Sequence, residues 1–389
     1  MKLFKKRFAW AVAFTFILVS FTLYVVLDTF VIARSYGSTA GKYNFVAPSQ
    51  TEGIEPASSS ENISDTQDTG SSSEMITTQT APIASSDSVT DTYIDTEAET
   101  ENTAPQTTAE KKTTATTQEA KKTTATASET KKATTTTAAA AISSNFEGGT
   151  LKDSYSDKNI TIKLYTFREY DTDIYVADVT VSSAEYLKTA FANDTYGRNV
   201  TDVTSDIAKD HNAIFAVNGD YYGAQSRGYV LRNGISYRES SANKEDLVIY
   251  PDGSFEIISE SSVSMPELLS KNAWQLLSFG PAIVKNSAVS VTKNQEVGKA
   301  MASNPRTAIG IVDKLHYLFV VSDGRTNKSE GLSLYQLGTF MQSLGVKTAY
   351  NLDGGGSSTM YFKGEVINNP TTNGRIKERS ISDIVYIGY

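Results

Sequence analysis

A loop with one aspartate, three glycines and two serines is the stretch of this sequence best suited to chemistry. Asp353 stands at its start, residues 354–356 are all glycine, and Ser357 and Ser358 follow. Because glycine has no Cβ, the backbone can adopt positive φ angles and bring several N–H groups to one anion. The pattern indicates an anion site beside a carboxylate. A tight structural turn is the alternative that the same residues allow.

Three further loops place polar side chains at the ends of apolar strands. The first contains Asn218 and Asp220, the second Arg306, and the third Asp323 and Arg325. Loops on a rigid scaffold commonly carry functional sites, and an arginine can hold a phosphate through two parallel hydrogen bonds. Together these loops predict one shared site, although each Asn-Gly or Asp-Gly taken alone is an ordinary turn.

The order of these loops resembles the phosphodiester glycosidase family. The resemblance rests on residues 218–220, 305–306, 323–332, 351–358 and 379–383. It covers about residue 145 to the C-terminus and does not reach the N-terminal segments. It implies hydrolysis of a sugar-1-phosphodiester, such as an N-acetylglucosamine-1-phosphodiester, at the anomeric carbon, which releases free sugar and a phosphomonoester. Many bacterial members are associated with exopolysaccharide. This chain lacks the cysteines and EGF-like modules of the animal enzymes, so their substrate does not carry over.

The resemblance and the residue types together assign roles to the candidates. Asp353, Asp220 and Asp323 are predicted to be catalytic, because an oxocarbenium-like transition state needs a carboxylate near the anomeric carbon. The residues predicted to bind substrate or phosphate are Asn218, Arg306, Arg325, Gly354, Gly355, Gly356, Ser357, Ser358 and Arg379. Turn capping by Asp220 or Asp323, and structural ion pairs of Arg306 or Arg379, are the alternatives. Two paired carboxylates about 5 Å apart would favour retention, and about 6.5–9.5 Å would favour inversion.

Composition narrows the choice of cofactors and partners. The chain has no cysteine and only two histidines, which disfavours thiolate zinc sites, multi-histidine metal sites and histidine-based triads. No cofactor is expected, and a Ca²⁺ or Mg²⁺ ion on the three aspartates is left open, although EF-hand spacing is missing. The net charge of −8 disfavours nucleic acid as a partner. The expected partner is a sugar-phosphate-containing glycan or cell-surface polymer.

The N-terminus predicts a membrane anchor. Residues 1–7 contain four lysine or arginine side chains, and residues 8–27 contain no charged residue. About 20 apolar residues in a helix span a hydrocarbon core of about 30 Å. The basic flank, residues 1–7, is predicted to stay in the cytoplasm, which places the rest of the chain outside it. We therefore predict a single-pass anchor over residues 8–32, with a cleaved signal peptide as the alternative.

A polar linker is predicted over residues 33–144. It is rich in Ser, Thr, Ala and Lys, and its few apolar side chains cannot offset the entropy lost on ordering. Lysine pairs at 111–112, 121–122 and 131–132 mark ten-residue repeats, which are typical of a spacer. A flexible chain of about 100 residues could hold a domain on the order of 50–60 Å from the membrane. Contact of the lysine pairs with anionic wall polymer is the alternative.

Residues 145–389 are predicted to form one globular α+β domain with a mixed or antiparallel sheet and a few helices. The predicted elements are strands at 160–168, 173–181, 213–217, 307–312 and 316–322, helices at 185–193, 203–210 and 333–344, a short helix from Ser264, and hairpin turns at 233–234 and 251–253. Strands interleaved irregularly with helices indicate the α+β class.

Two other functions fit the same residues. The domain could be a non-catalytic module that holds wall or capsule polymer, with Tyr221 or Tyr222 stacking on a sugar ring. It could also be a phosphodiesterase that cuts the P–O bond and releases sugar phosphate. Hydrolysis in ¹⁸O water distinguishes the two cleavages, because the label enters the sugar in one case and the phosphate in the other.

Overall fold

The computed structural model describes residues 9–36, Phe45, 146–295 and 303–389 of the 389-residue chain. The helices are α1 (Ala9–Phe30), α2 (Thr204–Asp210), α3 (Met265–Ser270) and α4 (Leu334–Ser343). The strands are β1 (Arg34–Ser35), β2 (Thr150–Ser156), β3 (Ile160–Glu169), β4 (Thr172–Val181), β5 (Leu187–Phe191), β6 (Gly197–Arg198), β7 (Asp202–Val203), β8 (Phe215–Asn218), β9 (Val230–Arg232), β10 (Ile235–Arg238), β11 (Glu245–Ile249), β12 (Phe255–Ser259), β13 (Gln275–Leu277), β14 (Ala282–Lys285), β15 (Ala288–Val289), β16 (Arg306–Asp313), β17 (His316–Ser322), β18 (Thr348–Asn351), β19 (Met360–Phe362), β20 (Glu365–Val366), β21 (Thr371–Thr372), β22 (Arg375–Ile376), β23 (Ser380–Ile381) and β24 (Asp383–Ile387).

Three larger antiparallel sheets form the domain. The first has eight strands in the order β15-β14-β18-β16-β17-β4-β3-β2, the second has five in the order β20-β19-β8-β24-β5, and the third has five in the order β10-β9-β13-β11-β12. The strand pairings within them are antiparallel. The predicted α+β class with few helices is confirmed.

The core lies in layers between these sheets and two helices. Inward side chains of β3, β4, β16 and β17 pack against those of β8, β19 and β24 in one large cluster. The opposite face of the eight-stranded sheet is covered by α4, which contributes Leu334, Leu337, Phe340 and Met341. Helix α2 covers the outer face of the sheet that contains β8 and β24. Alternation along each strand therefore fills a layer on both sides, as expected for sheets with two buried faces.

One predicted helix is wrong. Residues 185–193 form a 3-10 turn at Ala184–Tyr186, then strand β5, which pairs along its whole length with β24, and then the start of a second 3-10 turn at Ala192–Asp194. Thr189 and Phe191 favour an extended backbone, and the hydrogen bonds offered by β24 decide the conformation. The other helix signals hold. Ser264 caps α3, and Ser333 forms a capping box with Gln336 at the start of α4.

The N-terminal helix has the length and composition of a membrane span. The segment Trp10–Asp28 has 19 residues, a mean hydropathy of 2.2 and no burial against the protein. A signal sequence near an N-terminus meets the same criteria. The predicted linker over 33–144 lies outside the described residues, except for residues 33–36 and Phe45.

Candidate active site

The ends of strands from two sheets meet at the glycine loop. Asn351 ends β18 and pairs with Ala308 of β16, whose first residue Arg306 faces Ser322 at the end of β17. In the neighbouring sheet, Asn218 ends β8 opposite the start of β24. Antiparallel pairing thus brings the first, second and third predicted loops to the same edge as residues 353–358.

Asn218 joins the two sheets at this edge. Its side-chain oxygen accepts hydrogen bonds from Thr307 Oγ1 at 2.8 Å and from the Thr359 backbone at 3.3 Å. Its side-chain nitrogen donates to the Asp353 carbonyl at 2.7 Å. The Asn218 amide is therefore engaged with the protein at both ends. It fixes the glycine loop between strands, and its role as a ligand-binding residue remains only a prediction.

Each glycine of the loop lies beside a predicted arginine or its backbone. A Cβ placed on Gly355 would lie 3.1 Å from Arg325 Nη2, and one on Gly356 would lie 2.8 Å from Arg379 Nε. A Cβ on Gly354 would lie 2.9 Å from the Pro305 carbonyl and 4.0 Å from Cδ of Arg306. Glycine is thus needed for close approach, and at Gly355 also for a φ of +61°. The guanidinium groups of Arg325 and Arg379 thus lie against the loop, whereas Arg306 approaches it with Cα and Cδ and donates from Nε to the Leu332 carbonyl at 2.8 Å.

The backbone amides of the loop are mostly used inside the protein. Gly354 N donates to Asp353 Oδ1 at 2.9 Å, Gly355 N to the Pro305 carbonyl at 2.8 Å, and Ser357 N to the Gly354 carbonyl at 3.2 Å. These bonds make the loop rigid, but they leave fewer N–H groups for an anion than the sequence suggested. The arginines become the main candidates for holding a phosphate.

Buried hydroxyl groups add polar capacity to the loop. Within the described part of the chain, Oγ of Ser358 and Oγ1 of Thr359 are buried without a hydrogen-bond partner, and the buried Ser357 hydroxyl lies beside Asp353. Buried polar atoms in folded proteins are nearly always satisfied. The hydrogen-bonding capacity of these hydroxyls is therefore available to a polar ligand at this loop.

Asp353 is the predicted carboxylate with the least protein engagement. It is half-buried, and its Oδ1 accepts a hydrogen bond from Gly354 N at 2.9 Å. Burial raises the pKa of Asp353 above its ordinary value, while the nearby Ser357 hydroxyl and the Arg379 charge oppose the shift. A carboxylate with a raised pKa in a polar loop is typical of catalytic sites.

Asp323 is fully occupied by protein groups. Its Oδ1 accepts from Asn369 N at 2.8 Å, and its Oδ2 accepts from Asn369 Nδ2 at 2.8 Å and from Tyr175 Oη at 3.3 Å. Asn368, which also donates to Asp323 at 3.3 Å, donates to the Ser358 carbonyl and accepts from Met360 N. Asp323 therefore helps to hold Asn368, which in turn binds the backbone at the C-terminal end of the glycine loop.

Asp220 belongs to a buried ion network. The guanidinium of Arg232 lies 2.8 Å from Asp220 Oδ1 and 2.8 Å from Asp383 Oδ2. Asp220 also accepts from Tyr222 N at 3.2 Å and from Ser278 N at 2.7 Å. Burial and the neighbouring Asp220 charge raise the pKa of Asp383 to about 7, against the opposing effect of Arg232. Two buried carboxylates share one cation, so this network positions the loop after β8.

A third buried carboxyl lies near this network. Asp246 on β11 is fully buried, and burial together with repulsion from Glu260 raises its pKa to about 8, with Ser278 opposing. Glu260 itself accepts hydrogen bonds from the backbone of Tyr229 at 2.7 Å and Lys244 at 3.2 Å. Burial and the Glu260 charge therefore favour the protonated form of Asp246 in the folded protein.

This arrangement predicts that stability falls as pH rises. The folded domain keeps the Asp246 proton between the ordinary pKa of 3.8 and about 8, whereas the unfolded chain loses it. The free energy of unfolding therefore decreases with rising pH across that window, by about 1.4 kcal/mol per unit of pKa difference. We expect the melting temperature to fall from pH 5 to pH 8.5, and Asp246→Asn to flatten the profile. An equally steep profile in Asp246→Asn, measured by calorimetry, would refute this assignment.

Two cavities lie away from the glycine loop. One of about 410 Å³ is lined by residues that include Phe255, Lys314 and Lys347. The ammonium group of Lys314 pairs with Asp252, and that of Lys347 pairs with Asp313. Another, of about 210 Å³, is lined by residues that include Arg232. Neither includes a residue of the loop. Among the described residues, no group of three or more His, Cys, Asp or Glu side chains is placed to hold a metal ion.

Several positioning residues were missed from the sequence. Arg232 stands in a hairpin arm directly before Asn233-Gly234, and Asp383 begins an apolar strand. Both are charged residues inside runs that otherwise predict burial, and Asp383 also lies in the segment 379–383 that carries the family resemblance, although no role was assigned to it. Asn368 and Asn369 carried no signal, because their role depends on contact with Asp323 across the fold.

Comparisons with known proteins agree with the loop pattern. Residues 211–388 match the family model "Phosphodiester glycosidase", and the predicted resemblance is confirmed. The chain is 28% identical over 202 residues to the SPbeta prophage-derived uncharacterized protein YomE of Bacillus subtilis. The aligned residues cover 50% of this chain and 31% of that protein. It is 29% identical over 109 residues to the N-acetylglucosamine-1-phosphodiester alpha-N-acetylglucosaminidase of Mus musculus, covering 27% of this chain and 21% of the relative.

A solved structure is also similar. The catalytic domain of zebrafish N-acetylglucosamine-1-phosphodiester alpha-N-acetylglucosaminidase, described as auto-inhibited by its pro-peptide, aligns with a TM-score of 0.48 at 20% identity. The alignment covers 62% of this chain and 87% of that one. The chain spans about a third or less of the length of the two curated relatives.

Proposed function

We propose that the C-terminal domain, whose residues 211–388 belong to the phosphodiester glycosidase family, hydrolyses a sugar-1-phosphodiester at the anomeric carbon. The products are a free sugar and a phosphomonoester. One observation carries the proposal: the guanidinium groups of Arg325 and Arg379, with Arg306 beside them, lie against a glycine loop that begins at the half-buried Asp353. The proposed substrate is a glycan or cell-surface polymer that contains such a phosphodiester.

The arginines suit the departing phosphate. A phosphodiester leaves more readily than an alcohol, so the enzyme gains more by stabilising the negative charge than by protonating the leaving oxygen. Guanidinium groups bind phosphate oxygens in pairs and stay charged at every working pH. Arg325 is held in place by Asn304 Oδ1, which accepts from its Nε at 3.1 Å and its Nη2 at 3.0 Å. This support fixes the fork before the substrate arrives.

Asp353 is the proposed reacting carboxylate. It either attacks the anomeric carbon or takes a proton from the attacking water. The other two predicted catalytic aspartates are proposed as positioning residues, because the carboxylates of Asp220 and Asp323 each accept hydrogen bonds from protein groups through both oxygens. Tyr221 is 42% exposed, whereas Tyr222 is buried, so Tyr221 is the aromatic side chain of the pair that is proposed to meet the sugar.

The proposed location follows from the apolar N-terminal helix. Residues 8–32 would span the membrane, residues 1–7 would stay in the cytoplasm, and the domain would act outside it. The length and hydropathy of Trp10–Asp28 support this arrangement. The flanking lysine and arginine residues support the orientation.

Replacing the arginines with lysine tests the phosphate grip. Lysine keeps the charge but cannot form two parallel hydrogen bonds, so Arg325→Lys and Arg379→Lys are each expected to lower kcat/KM by about tenfold or more. Inhibition by inorganic phosphate should weaken in parallel. The assay is turnover of methyl N-acetylglucosamine-1-phosphate.

Arg375 provides the matched control. It is an exposed arginine on β22, so Arg375→Lys should leave both kcat/KM and phosphate inhibition at the wild-type level. If the variants at 325 and 379 behave like the control, the arginines do not hold the phosphate.

A further inference from the structure

The segment that follows the N-terminal helix is paired with the domain. Strand β1 (Arg34–Ser35) lies antiparallel to β6, with Arg34 opposite Arg198 and Ser35 opposite Gly197. Tyr36 N donates to the Tyr196 carbonyl at 2.7 Å, and Asn199 Nδ2 donates to the Ile32 carbonyl at 3.2 Å. The contact therefore runs along residues 32–36, which we call the docking strand.

The domain is shaped for this contact at one glycine. A Cβ on Gly197 would lie 2.0 Å from the Arg34 carbonyl oxygen, a separation at which the strand could not stay in place. Further along, the rings of Phe45 and Trp274 meet edge to face with centroids 4.9 Å apart. Two separate points of contact hold the residues after the helix against the same domain.

The docking strand begins close to the end of the apolar helix. Helix α1 ends at Phe30, four residues before Arg34, and an extended chain covers at most about 3.3–3.6 Å per residue. Arg34 also pairs with Asp28 in the last turns of that helix. If α1 spans the membrane, β6 is held within about 15 Å of the membrane surface.

Short contacts connect the docking strand to the site. The ring of Tyr36 lies 5.9 Å from that of Tyr196, and Tyr196 stacks on Tyr222 at 5.3 Å. The guanidinium of Arg232 lies 5.8 Å from the Tyr222 ring and binds Asp220. Gly219, next to Asp220, accepts a hydrogen bond from Asp353 N at 3.3 Å, so these contacts run from the docking strand to the start of the glycine loop.

We propose that the docking strand holds the domain at the membrane surface and that the substrate of the domain is a sugar-1-phosphodiester attached to a membrane lipid. The substrate part rests on the proposed function, whereas the docking part does not. A soluble phosphodiester would gain nothing from this arrangement, whereas a lipid-borne one would be presented at high effective concentration.

Protein retention on membranes tests the docking. A specific protease site is inserted near residue 90 of the full chain in membrane vesicles, and the chain is cut there. The wild-type domain should stay with the vesicles after cleavage, and Tyr36→Pro, which removes the N–H donor and the ring, should release it. Tyr36→Phe keeps both and is the matched control. Release of the wild-type domain would overturn the docking.

A disulfide gives an independent measurement. The chain has no cysteine, so an Arg34→Cys, Arg198→Cys pair reports only on its own contact. Directly paired residues on antiparallel strands have Cα separations within the range that a disulfide bridges. We expect this pair to cross-link under mild oxidation, and Arg34→Cys with Lys152→Cys, on the edge strand β2, not to. Equal cross-linking of both pairs would contradict the docking.

Turnover of two probes tests the substrate class. One is N-acetylglucosamine-1-phosphate esterified to a long-chain isoprenoid in vesicles, and the other is its water-soluble methyl ester. Tyr36→Pro in the protease-cut chain should slow the lipid probe by about tenfold or more and leave the methyl ester at the wild-type rate. Equal loss on both probes, or none, would overturn the lipid assignment. Failure of the wild type on both probes would refute the proposed function, while the retention and cross-linking results would still decide the docking.

Discussion

Asp353→Asn is expected to abolish turnover without unfolding the domain. The carboxylate supplies the nucleophile or base in the proposed reaction, and its loss should lower kcat by about 10³-fold or more. Asparagine at position 353 has the same shape as aspartate and keeps a side-chain oxygen that can accept the hydrogen bond from Gly354 N. Because burial raises the pKa of Asp353, its ionised form is disfavoured in the folded protein, so a neutral amide should not lower the melting temperature.

Two other aspartates make this result specific. Asp206→Asn changes an exposed side chain on α2 and should have no effect on rate or stability. Asp323→Asn should lower the melting temperature, because an amide nitrogen cannot accept the bonds that Asn369 and Tyr175 donate. A rate for Asp353→Asn within tenfold of the wild type would exclude this carboxylate from the chemistry.

Arg232→Met is expected to cause the largest loss of stability. The guanidinium is 2% exposed and lies between Asp220 and Asp383, so its removal leaves two buried carboxylates without a counter-charge. Breaking such a network costs about 3–5 kcal/mol, and the melting temperature of a domain of this size should fall by about 10 °C or more. Thermal unfolding followed by circular dichroism measures the change.

Neutralising the whole network is the control. The triple variant Arg232→Met, Asp220→Asn, Asp383→Asn carries no buried charge there and should recover much of the lost stability. If the single variant melts within about 2 °C of the wild type, or the triple variant melts no higher than the single one, the network does not behave as an ion network.

The local sequence predicted the elements with strong periodicity or caps. Helix α4 and its Ser333 cap, the hairpin at Asn233-Gly234 and the strands on either side of the glycine loop all follow from nearby residues. Residues 185–193 did not, because the hydrogen bonds of β24 decide their conformation and those partners come from almost 200 residues away in the chain. Propensity within one segment carries no information about such pairing.

The sequence predicted residues that the structure brings close together, but not which of them are engaged by protein groups; their roles at the site stay a prediction. Loop composition indicated that the aspartates and arginines belong together, and the structure brings Arg325 and Arg379 against consecutive glycines. Loop composition could not show that Arg232 forms an ion pair with Asp220 or that Asn369 donates a hydrogen bond to Asp323, since those partners come from other loops. Burial and hydrogen bonds, which single out Asp353, are properties of the folded chain alone.

The position of the oxygen atom taken from water tests the central proposal most directly. Wild-type protein is incubated with methyl N-acetylglucosamine-1-phosphate in ¹⁸O water, and both products are analysed by mass spectrometry. Cleavage at the anomeric carbon, assisted by the arginines around the glycine loop, predicts that the label enters the free sugar and that the methyl phosphate stays unlabelled. Label in the phosphate product would show P–O cleavage and contradict the glycosidase proposal.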